Sequence, residues 1–288
     1  NKEIKIIKKD DENYPKKLLK FKNAPEKVYV MGNENLLNKT SIAIVGSRKC
    51  DEYGIMQAKR FASYLSQQDI CIISGLAIGI DTIAHLYSMN NIGKTIAVVA
   101  SGFEHIYPEE NKILFQKIIE NGGAIISEHP PRTEVDMHEF PKRNRIISGL
   151  SDGVLIVEAG KMSGSTITGR YAIKQNKELF CIPGNLTSNL SAGTNLLISE
   201  GAMCVTTPQD IIETLEFNNY EISKNSVNPE FIDIYKNIGE VPISASEIAN
   251  LTGKSVDEVN EKLFMLEIDK FIKKNFGGKY TRIQNGKK

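Results

Sequence analysis

The sequence predicts a doubly wound α/β fold with a mostly parallel sheet, followed by a small winged-helix domain. Strand and helix signals alternate between residues 41 and 215, which is typical of a βαβ architecture. The strand-like runs are nearly continuous in Val, Ile, Ala and Cys, as in strands that are covered on both faces. A polar segment then separates this region from three helical stretches and a Gly-Gly hairpin signal near the end of the chain.

Each predicted element has its own signal. Seven apolar runs are predicted to form strands: 41–47, 71–75, 95–101, 124–128, 153–159, 179–183 and 203–206. Five amphipathic stretches between them are predicted to form helices: 53–68, 80–90, 110–123, 163–177 and 208–215. Several of these stretches end in Gly or Asn, the usual helix stop.

The domain boundaries follow from changes in composition. Residues 1–40 are basic and predict a short αβ-type extension packed on the core, and residues 41–217 form the main domain. Residues 218–229 are polar, end in proline and are predicted to be a linker. Residues 230–288 are predicted to form the winged-helix-like domain.

Composition excludes several classes of protein. The formal net charge is only +1, so any affinity for nucleic acid must come from a local basic patch. No apolar run approaches the ~18–20 residues that a membrane span needs. The four cysteines form no CxxC pair and no His clusters with them, which favours reduced thiols in a cytoplasmic protein without a metal or other cofactor.

Four polar loops are predicted to meet at the carboxyl edge of the sheet, where open α/β folds bind ligands. The loops carry glycines and hydroxyl groups before helix starts, a pattern that favours phosphate. Two of them also carry clustered Arg and Lys. The candidate binding residues are Gly46, Ser47, Arg48, Lys49, Ser74, Gly75, Phe140, Lys142, Arg143, Asn144, Arg145, Lys161, Ser163, Gly164, Ser165, Thr166 and Arg170.

Other interpretations of these loops remain open. No GxxxxGK[ST] or GxGxxG pattern occurs, which disfavours a P-loop and a dinucleotide site. Glycines at such turns are often needed only because the backbone turns tightly there, and not because a ligand binds. The three cations of FPKRNR, residues 140–145, repel one another unless an anion or an acidic side chain neutralises them. Glu158 is a possible internal partner. Phe140 is either a stacking platform for a base or a core anchor before Pro141.

Several sequence blocks, in order, resemble one family. Between residues 14 and 215 the blocks include YPKKLL, IAIVGSRKCDEYG, SGLAIGIDTIAH, FPKRNRIISGLSDGVLIVEAGKMSGSTITGR and SAGTNLLISEGA. They resemble the DprA (Smf) family, the DNA-processing proteins of natural transformation. The resemblance implies an extended Rossmann-like fold that binds single-stranded DNA, forms homodimers and loads the RecA recombinase.

The resemblance also assigns motifs to positions. The family's GSR loop falls on residues 46–48, its FPxRNR loop on residues 140–145 and its SGS loop on residues 163–165. One departure is Ile78, where the family often has arginine in SGLARGID. That change removes one possible phosphate contact from the second loop.

The sequence therefore predicts a non-enzymatic protein that binds single-stranded DNA in a basic, amide-lined groove. An alternative is a nucleotide-binding enzyme of the lysine-decarboxylase-like type, a nucleoside monophosphate phosphoribohydrolase with Glu158 as its acid or base. A third possibility is a nucleotide-sensing regulator. The predicted recognition helix, residues 255–270, carries five acids against two lysines, so the winged helix is predicted to contact protein, with any DNA contact limited to Lys273, Lys274 and Lys279.

Overall fold

The chain forms two compact units, Asn1–Phe217 and Asn218–Lys288. The structure is a computed structural model, and it describes residues 3–215, 231–239, 241–268, 271–275 and 277–283. The predicted linker, residues 218–229, lies outside these ranges. Within them, no helix combines the length and the apolar character that a membrane crossing requires.

A nine-stranded sheet forms the centre of the first unit, and the predicted α/β class is confirmed. Its strands, in chain order, are β1 (Ile4–Lys8), β2 (Lys27–Gly32), β3 (Ser41–Val45), β4 (Cys71–Ser74), β5 (Thr95–Val99), β6 (Ala124–Ser127), β7 (Gly153–Ile156), β8 (Glu178–Cys181) and β9 (Met203–Cys204). The spatial order is β1-β2-β6-β5-β4-β3-β7-β8-β9. Strands β3 to β9 run parallel to one another, and all seven predicted runs contribute a strand.

The strand order creates one switch point. From β3 the chain winds through β4 and β5 to β6, and it then returns to place β7 on the other side of β3. Connections on the two sides therefore leave the carboxyl ends of β3 and β7 in opposite directions, which opens a crevice between them. Open α/β sheets bind their ligands at this kind of crevice.

The amino-terminal segment lengthens the sheet. β1 pairs antiparallel with β2, and β2 pairs antiparallel with β6. The predicted extension packed on the core is therefore, in its strands, an addition to the edge of the sheet. A short 3-10 helix, Leu18–Lys20, packs against the helical layer, because Leu18 and Phe21 fill the space beside Gly149.

Seven helices cover the two faces of the sheet. They are α1 (Glu52–Gln67), α2 (Ile80–Ser88), α3 (Lys112–Glu120), α4 (Glu139–Leu150), α5 (Gly164–Lys174), α6 (Ala192–Ser199) and α7 (Pro208–Thr214). The cores show the division: Ile147 of α4 and Ala172 of α5 pack on one face, and Phe61 of α1 and Ala84 of α2 pack on the other.

Helix α4 corrects the predicted loop around FPKRNR. The segment from Glu139 onward is helical, and Pro141 stands in the first turn, where its missing N–H costs no intrahelical hydrogen bond. The cations of this segment therefore project from a helix, so consecutive side chains point in different directions. One of them points inward, which a loop interpretation does not anticipate.

The second unit has its own core and the order of elements expected of a winged helix. It contains α8 (Ile232–Lys236), β10 (Ile243–Ser244), α9 (Ala245–Thr252), α10 (Val256–Ile268), β11 (Ile272–Lys274) and β12 (Lys279–Arg282). The three strands form an antiparallel sheet in the order β10-β12-β11. Gly277 and Gly278, with φ of +82° and +73°, make the turn of the predicted hairpin.

Candidate nucleic-acid interface

A pocket of ≈ 630 Å³ lies at the switch point, beyond the carboxyl ends of β3 and β7. Three segments that are distant in sequence contribute most of its lining: the loop after β3, the first turns of α4 and the amino-terminal end of α5. The predicted residues that line it are Gly46, Ser47, Arg48, Lys49, Phe140, Arg143, Asn144, Ser163, Gly164 and Ser165. Within the described residues no group of three or more His, Cys, Asp or Glu side chains is placed to hold a metal ion.

The loop after β3 is fixed by close backbone contacts. A Cβ on Gly46 would lie 2.6 Å from Cγ1 of Ile80, so only glycine fits against α2. The amide of Ser47 donates to the carbonyl oxygen of Glu158 at 2.7 Å, and the carbonyl of Ser47 accepts from the amide of Ile80 at 3.2 Å. The Ser47 amide is therefore already used within the protein and is not a free donor for a phosphate.

Arg48 and Lys49 present the available charge of this loop. Both side chains are exposed, and neither forms an ion pair within the described part of the chain. Cζ of Arg48 lies 5.7 Å from the ring centroid of Phe140, within cation–π range. This contact holds the guanidinium at the mouth of the pocket without neutralising it.

The amino-terminal end of α5 supplies a second anion-favouring element. Ser163 caps the helix, and its Oγ accepts from the amide of Ser165 at 3.4 Å and lies 2.8 Å from Oγ of Ser165. Gly164 is exposed, and a Cβ there would meet nothing within 4 Å. Among the residues that the structure describes, none accepts a hydrogen bond from the Gly164 amide, which stands at the positive end of the helix dipole.

Arg143 has a structural position instead of the predicted phosphate contact. Its side chain is buried, and Nη1 donates to the carbonyl oxygen of Gly75 at 2.6 Å and to that of Val98. Burial lowers the pKa of Arg143 to about 10, and the nearby carboxylate of Asp81 opposes this shift. The carboxylate of Asp81 accepts from the amide of Gly75 at 3.0 Å, and burial raises the pKa of Asp81.

The other two cations of the segment also have protein partners. Nη2 of Arg145 donates to both carboxylate oxygens of Glu128, at 2.7 and 2.6 Å. Nζ of Lys142 donates to Glu139 at 2.5 Å, although 62% of the Lys142 side chain remains exposed. Glu158, which the sequence offered as a possible partner, pairs with none of them. The structure thus corrects the prediction that Arg143 and Arg145 are free to neutralise phosphates.

Phe140 occupies the rim of the pocket. Its half-buried ring meets the ring of Tyr107 edge to face, with centroids 5.4 Å apart. The guanidinium groups of Arg48 and Arg143 lie 5.7 and 6.0 Å from its centroid. Phe140 also lines a neighbouring pocket of ≈ 440 Å³ together with Arg48, Tyr107 and Ile78. The ring is therefore anchored on one edge and accessible on another, so both predicted roles remain compatible with its position.

The remaining candidates do not line the main pocket. Ser74 is fully buried, and its hydroxyl donates to the carbonyl oxygen of Ile44 at 2.7 Å, which is incompatible with direct contact to a ligand. The hydroxyl of Thr166 is likewise used, by the carbonyl oxygen of Ser163 at 2.7 Å. Lys161 and Arg170 are exposed outside the pocket. Asn144, in contrast, lines the pocket, and its Nδ2 donates to the carbonyl oxygen of Gly164 at 3.3 Å and so ties α4 to α5.

Glu158 faces α1 and not the pocket. Its side chain is 1% exposed, and Oε2 accepts from the amide of Asp51 at 3.3 Å. Burial, and then the charge of Asp51, raises the pKa of Glu158 to about 7. A general acid or base must reach its substrate. The position of Glu158 therefore gives the predicted phosphoribohydrolase chemistry no support.

Sequence reasoning missed the apolar part of the pocket. Met137, Met162 and Leu190 line it together with the predicted polar residues, and the Met162 side chain is 99% exposed. Asp81, in the first turn of α2, also lines the pocket. In the sequence, the signal that could have indicated this surface is Met162, an apolar residue within a loop of glycines and serines.

Comparison with known proteins decides the family. Residues 5–216 match the family model described as DNA recombination-mediator protein A. This chain belongs to that family. The DprA (Smf) resemblance is confirmed by relatives: Protein Smf of Escherichia coli is 36% identical over 97% of this chain and 77% of its own length, and DNA processing protein DprA of Streptococcus pneumoniae is 41% identical over 72% and 73%.

Two solved structures share the fold of this family member. The X-ray structure of DprA from Streptococcus pneumoniae matches with a TM-score of 0.71 at 40% identity and covers 75% of each chain. A structure of DNA processing protein A from Helicobacter pylori, described for its single-stranded DNA binding mode, matches with a TM-score of 0.68 at 33% identity, covering 76% of this chain and 98% of that one.

Proposed function

We propose that this protein binds single-stranded DNA at the switch-point pocket and, as a recombination mediator, helps to load the RecA recombinase onto that strand during DNA uptake. The single observation that carries the proposal is the convergence of exposed Arg48, the ring of Phe140 and the free amino-terminal end of α5 on one pocket. The Helicobacter pylori relative, described as binding single-stranded DNA, supports the choice of polymer.

The chemistry of the pocket suits an unpaired strand. Arg48 and Lys49 attract phosphates, the Gly164 amide offers a directional donor, and the accessible edge of Phe140 provides a platform for a base. Met137, Met162 and Leu190 add apolar surface that an exposed base can cover and that a duplex, with its bases stacked inside, cannot. Binding of this kind requires no sequence code, which fits a mediator that must accept any incoming strand.

The proposal includes no catalytic step, cofactor or metal. We assign the protein to the cytoplasm and to a homodimer on the strength of the family resemblance alone. The winged-helix-like unit is proposed to contact protein. The carboxylate of Glu258 on α10 pairs with Lys254, which precedes the helix, and with Lys262 on the helix, so both positive charges are already neutralised.

The test is a binding titration with a fluorescent oligothymidylate and a matched duplex over a range of salt concentrations. We expect preference for the single strand and an affinity that falls with salt by a slope of ~0.7 per phosphate contact. Arg48→Ala is expected to weaken binding about threefold to tenfold and to reduce the slope by about one contact. The matched control is Arg60→Ala, an exposed arginine of α1 that donates to the carbonyl oxygen of Thr206 at 3.1 Å.

The two arginine variants decide the proposal. Equal losses in Arg48→Ala and Arg60→Ala would show that only overall charge matters, and the pocket would lose its role. An unchanged salt slope in Arg48→Ala would remove Arg48 from the phosphate path. Loading of RecA is tested separately, by RecA ATPase activity on single-stranded DNA, which Arg48→Ala is expected to stimulate less than the wild type.

A further inference from the structure

One residue holds both ends of the loop that presents Arg48. We call residues 46–51 the Arg48 loop. The main-chain oxygen of Glu158 accepts from the amide of Ser47 at 2.7 Å, at the start of the loop. The side-chain Oε2 of Glu158 accepts from the amide of Asp51 at 3.3 Å, at its end. The position of Arg48 between these two contacts therefore depends on a residue that does not line the pocket.

The carboxyl group of Glu158 is closely confined. It packs on the first turn of α1, where a Cβ on Gly54 would lie 2.5 Å from Oε2. Its other oxygen, Oε1, is buried and has no hydrogen-bond partner in the described structure. No described Lys or Arg pairs with Glu158. The titratable groups around it are Asp51, Cys50 and Tyr53, and its charge contributes to the raised pKa of both Cys50 and Tyr53.

The nearest charge is another carboxylate. Asp51 is the N-cap of α1, and its Oδ1 accepts from the amide of Gly54 at 3.1 Å. A protonated Glu158 can donate to the Asp51 carboxylate while it still accepts from the Asp51 amide. An ionised Glu158 instead carries a buried charge and faces the like charge of Asp51, and both effects disfavour the ionised form. The protonated form of Glu158 therefore stabilises the Arg48 loop, and the ionised form destabilises it.

We infer that Glu158 is the positioning residue of the Arg48 loop, and that loss of its proton loosens the loop and weakens the binding of single-stranded DNA. The inference rests on the proposed function of the pocket. It adds a control point to that function, since the group that titrates lies outside the pocket and acts on Arg48 only through the loop.

The sign of the effect follows from linkage. The pKa of Glu158 is raised to about 7, so the carboxyl is neutral below that pH and ionised above it. Affinity for single-stranded DNA is therefore expected to fall as the pH rises through 7. Because coupling between two binding equilibria is reciprocal, bound DNA is expected to raise the pKa of Glu158 further.

The first measurement compares the wild type with Glu158→Gln, a neutral side chain of the same shape. Oligothymidylate affinity is measured on the full chain at pH 6 and pH 8. Any pH dependence that does not involve Glu158 is common to both proteins and cancels in this comparison. We expect the wild type to lose about threefold more affinity between pH 6 and pH 8 than Glu158→Gln, since a coupling of about 0.7 kcal/mol corresponds to threefold.

A second variant separates proton control from simple support. Asp51→Asn keeps a good N-cap but removes the neighbouring charge. It is expected to weaken the pH dependence and to move its midpoint to a lower pH, because only burial then opposes the ionised form of Glu158. Hydrogen exchange of the Ser47 and Asp51 amides, measured without DNA, is expected to accelerate from pH 6 to pH 8 beyond the intrinsic rate in the wild type and not in Glu158→Gln.

The outcomes are distinct. Equal pH dependence in the wild type and Glu158→Gln, or amide protection in the Arg48 loop that ignores Glu158, would overturn the inference. Failure of the wild type to bind oligothymidylate at any pH would instead overturn the proposed function, and the exchange measurement would still test the positioning role. A Glu158→Gln protein with normal protection at pH 6 also shows that the substitution leaves the fold intact.

Discussion

Two clusters of positive side chains lie at the same edge of the sheet and differ in what surrounds them. The Arg48 loop presents Arg48 and Lys49 on an exposed turn, with no carboxylate paired to either in the described structure. The α4 cations, Lys142, Arg143 and Arg145, each have a partner supplied by the protein. In the sequence the two clusters look alike, and the larger one looks like the stronger phosphate site.

The comparison distinguishes two kinds of charged side chain. We call a charge available when its side chain has no partner of opposite charge in the described structure and can meet a ligand, and committed when the protein already pairs or hydrogen-bonds it. A buried guanidinium that is bonded to carbonyls and faces a carboxylate contributes to the fold, and its departure toward a ligand would leave polar groups unpaired. An exposed guanidinium that is held only by an aromatic face gives up little when it meets a phosphate. We therefore expect substitutions in the α4 cations to affect stability first and substitutions in the Arg48 loop to affect binding first.

The largest expected effect is on stability, from Arg143→Ala. The change leaves the carbonyl oxygens of Gly75 and Val98 without a donor and the buried carboxylate of Asp81 without a nearby cation. Breaking such a buried arrangement on one side costs about 3–5 kcal/mol. Urea denaturation of the full chain, followed by circular dichroism, measures the loss in free energy of unfolding.

Two controls accompany Arg143→Ala. Adding Asp81→Asn to it is expected to recover part of the loss, because the uncompensated charge disappears. Arg48→Ala is expected to change the free energy of unfolding by less than about 0.5 kcal/mol. If Arg143→Ala unfolded at the same urea concentration as the wild type, the distinction between committed and available charge would fail.

Glu128→Gln is expected to have two smaller effects: a loss of stability and a gain in affinity for oligothymidylate. The substitution weakens the bidentate contact with Arg145, whose side chain is 16% exposed, so we expect a loss of about 1–2 kcal/mol in stability. It also leaves the charge of Arg145 less neutralised at the sheet edge, so affinity for oligothymidylate is expected to rise about twofold. Glu26→Gln, an exposed partner of Lys9, is the control and should change neither quantity. A fall in both stability and affinity would mean that the pair orders the pocket.

The sheet was predictable because its signal is local. Each buried strand, such as β3 or β5, is a short apolar run between polar turns, and burial on both faces requires that composition. The family could also be predicted from several motifs in order. Helix α4 could not be predicted in this way, because Pro141 and the polar residues around it obscure the helical period. The first turn of a helix nevertheless tolerates a proline and polar side chains.

The role of Arg143 depends on contacts that are distant in sequence. Its acceptors, Gly75 and Val98, lie 68 and 45 residues away and come together only when β4 and β5 take their places beside α4. The same holds for Ser47, whose amide is used by Glu158, 111 positions further on. Residue type and spacing indicate where phosphate chemistry is possible, and packing decides which of the candidate groups remain free to perform it.

The smallest expected effect is from Lys142→Ala, and it tests the boundary between the two clusters. Lys142 bonds to Glu139 but is largely exposed, so an exposed pair of this kind adds little to stability and the denaturation midpoint should not move measurably. Affinity for oligothymidylate should fall by about twofold or less, because Glu139 already neutralises the charge. A loss as large as that of Arg48→Ala would show that Lys142 leaves Glu139 for a phosphate, and available charge would then extend from the Arg48 loop onto the first turn of α4.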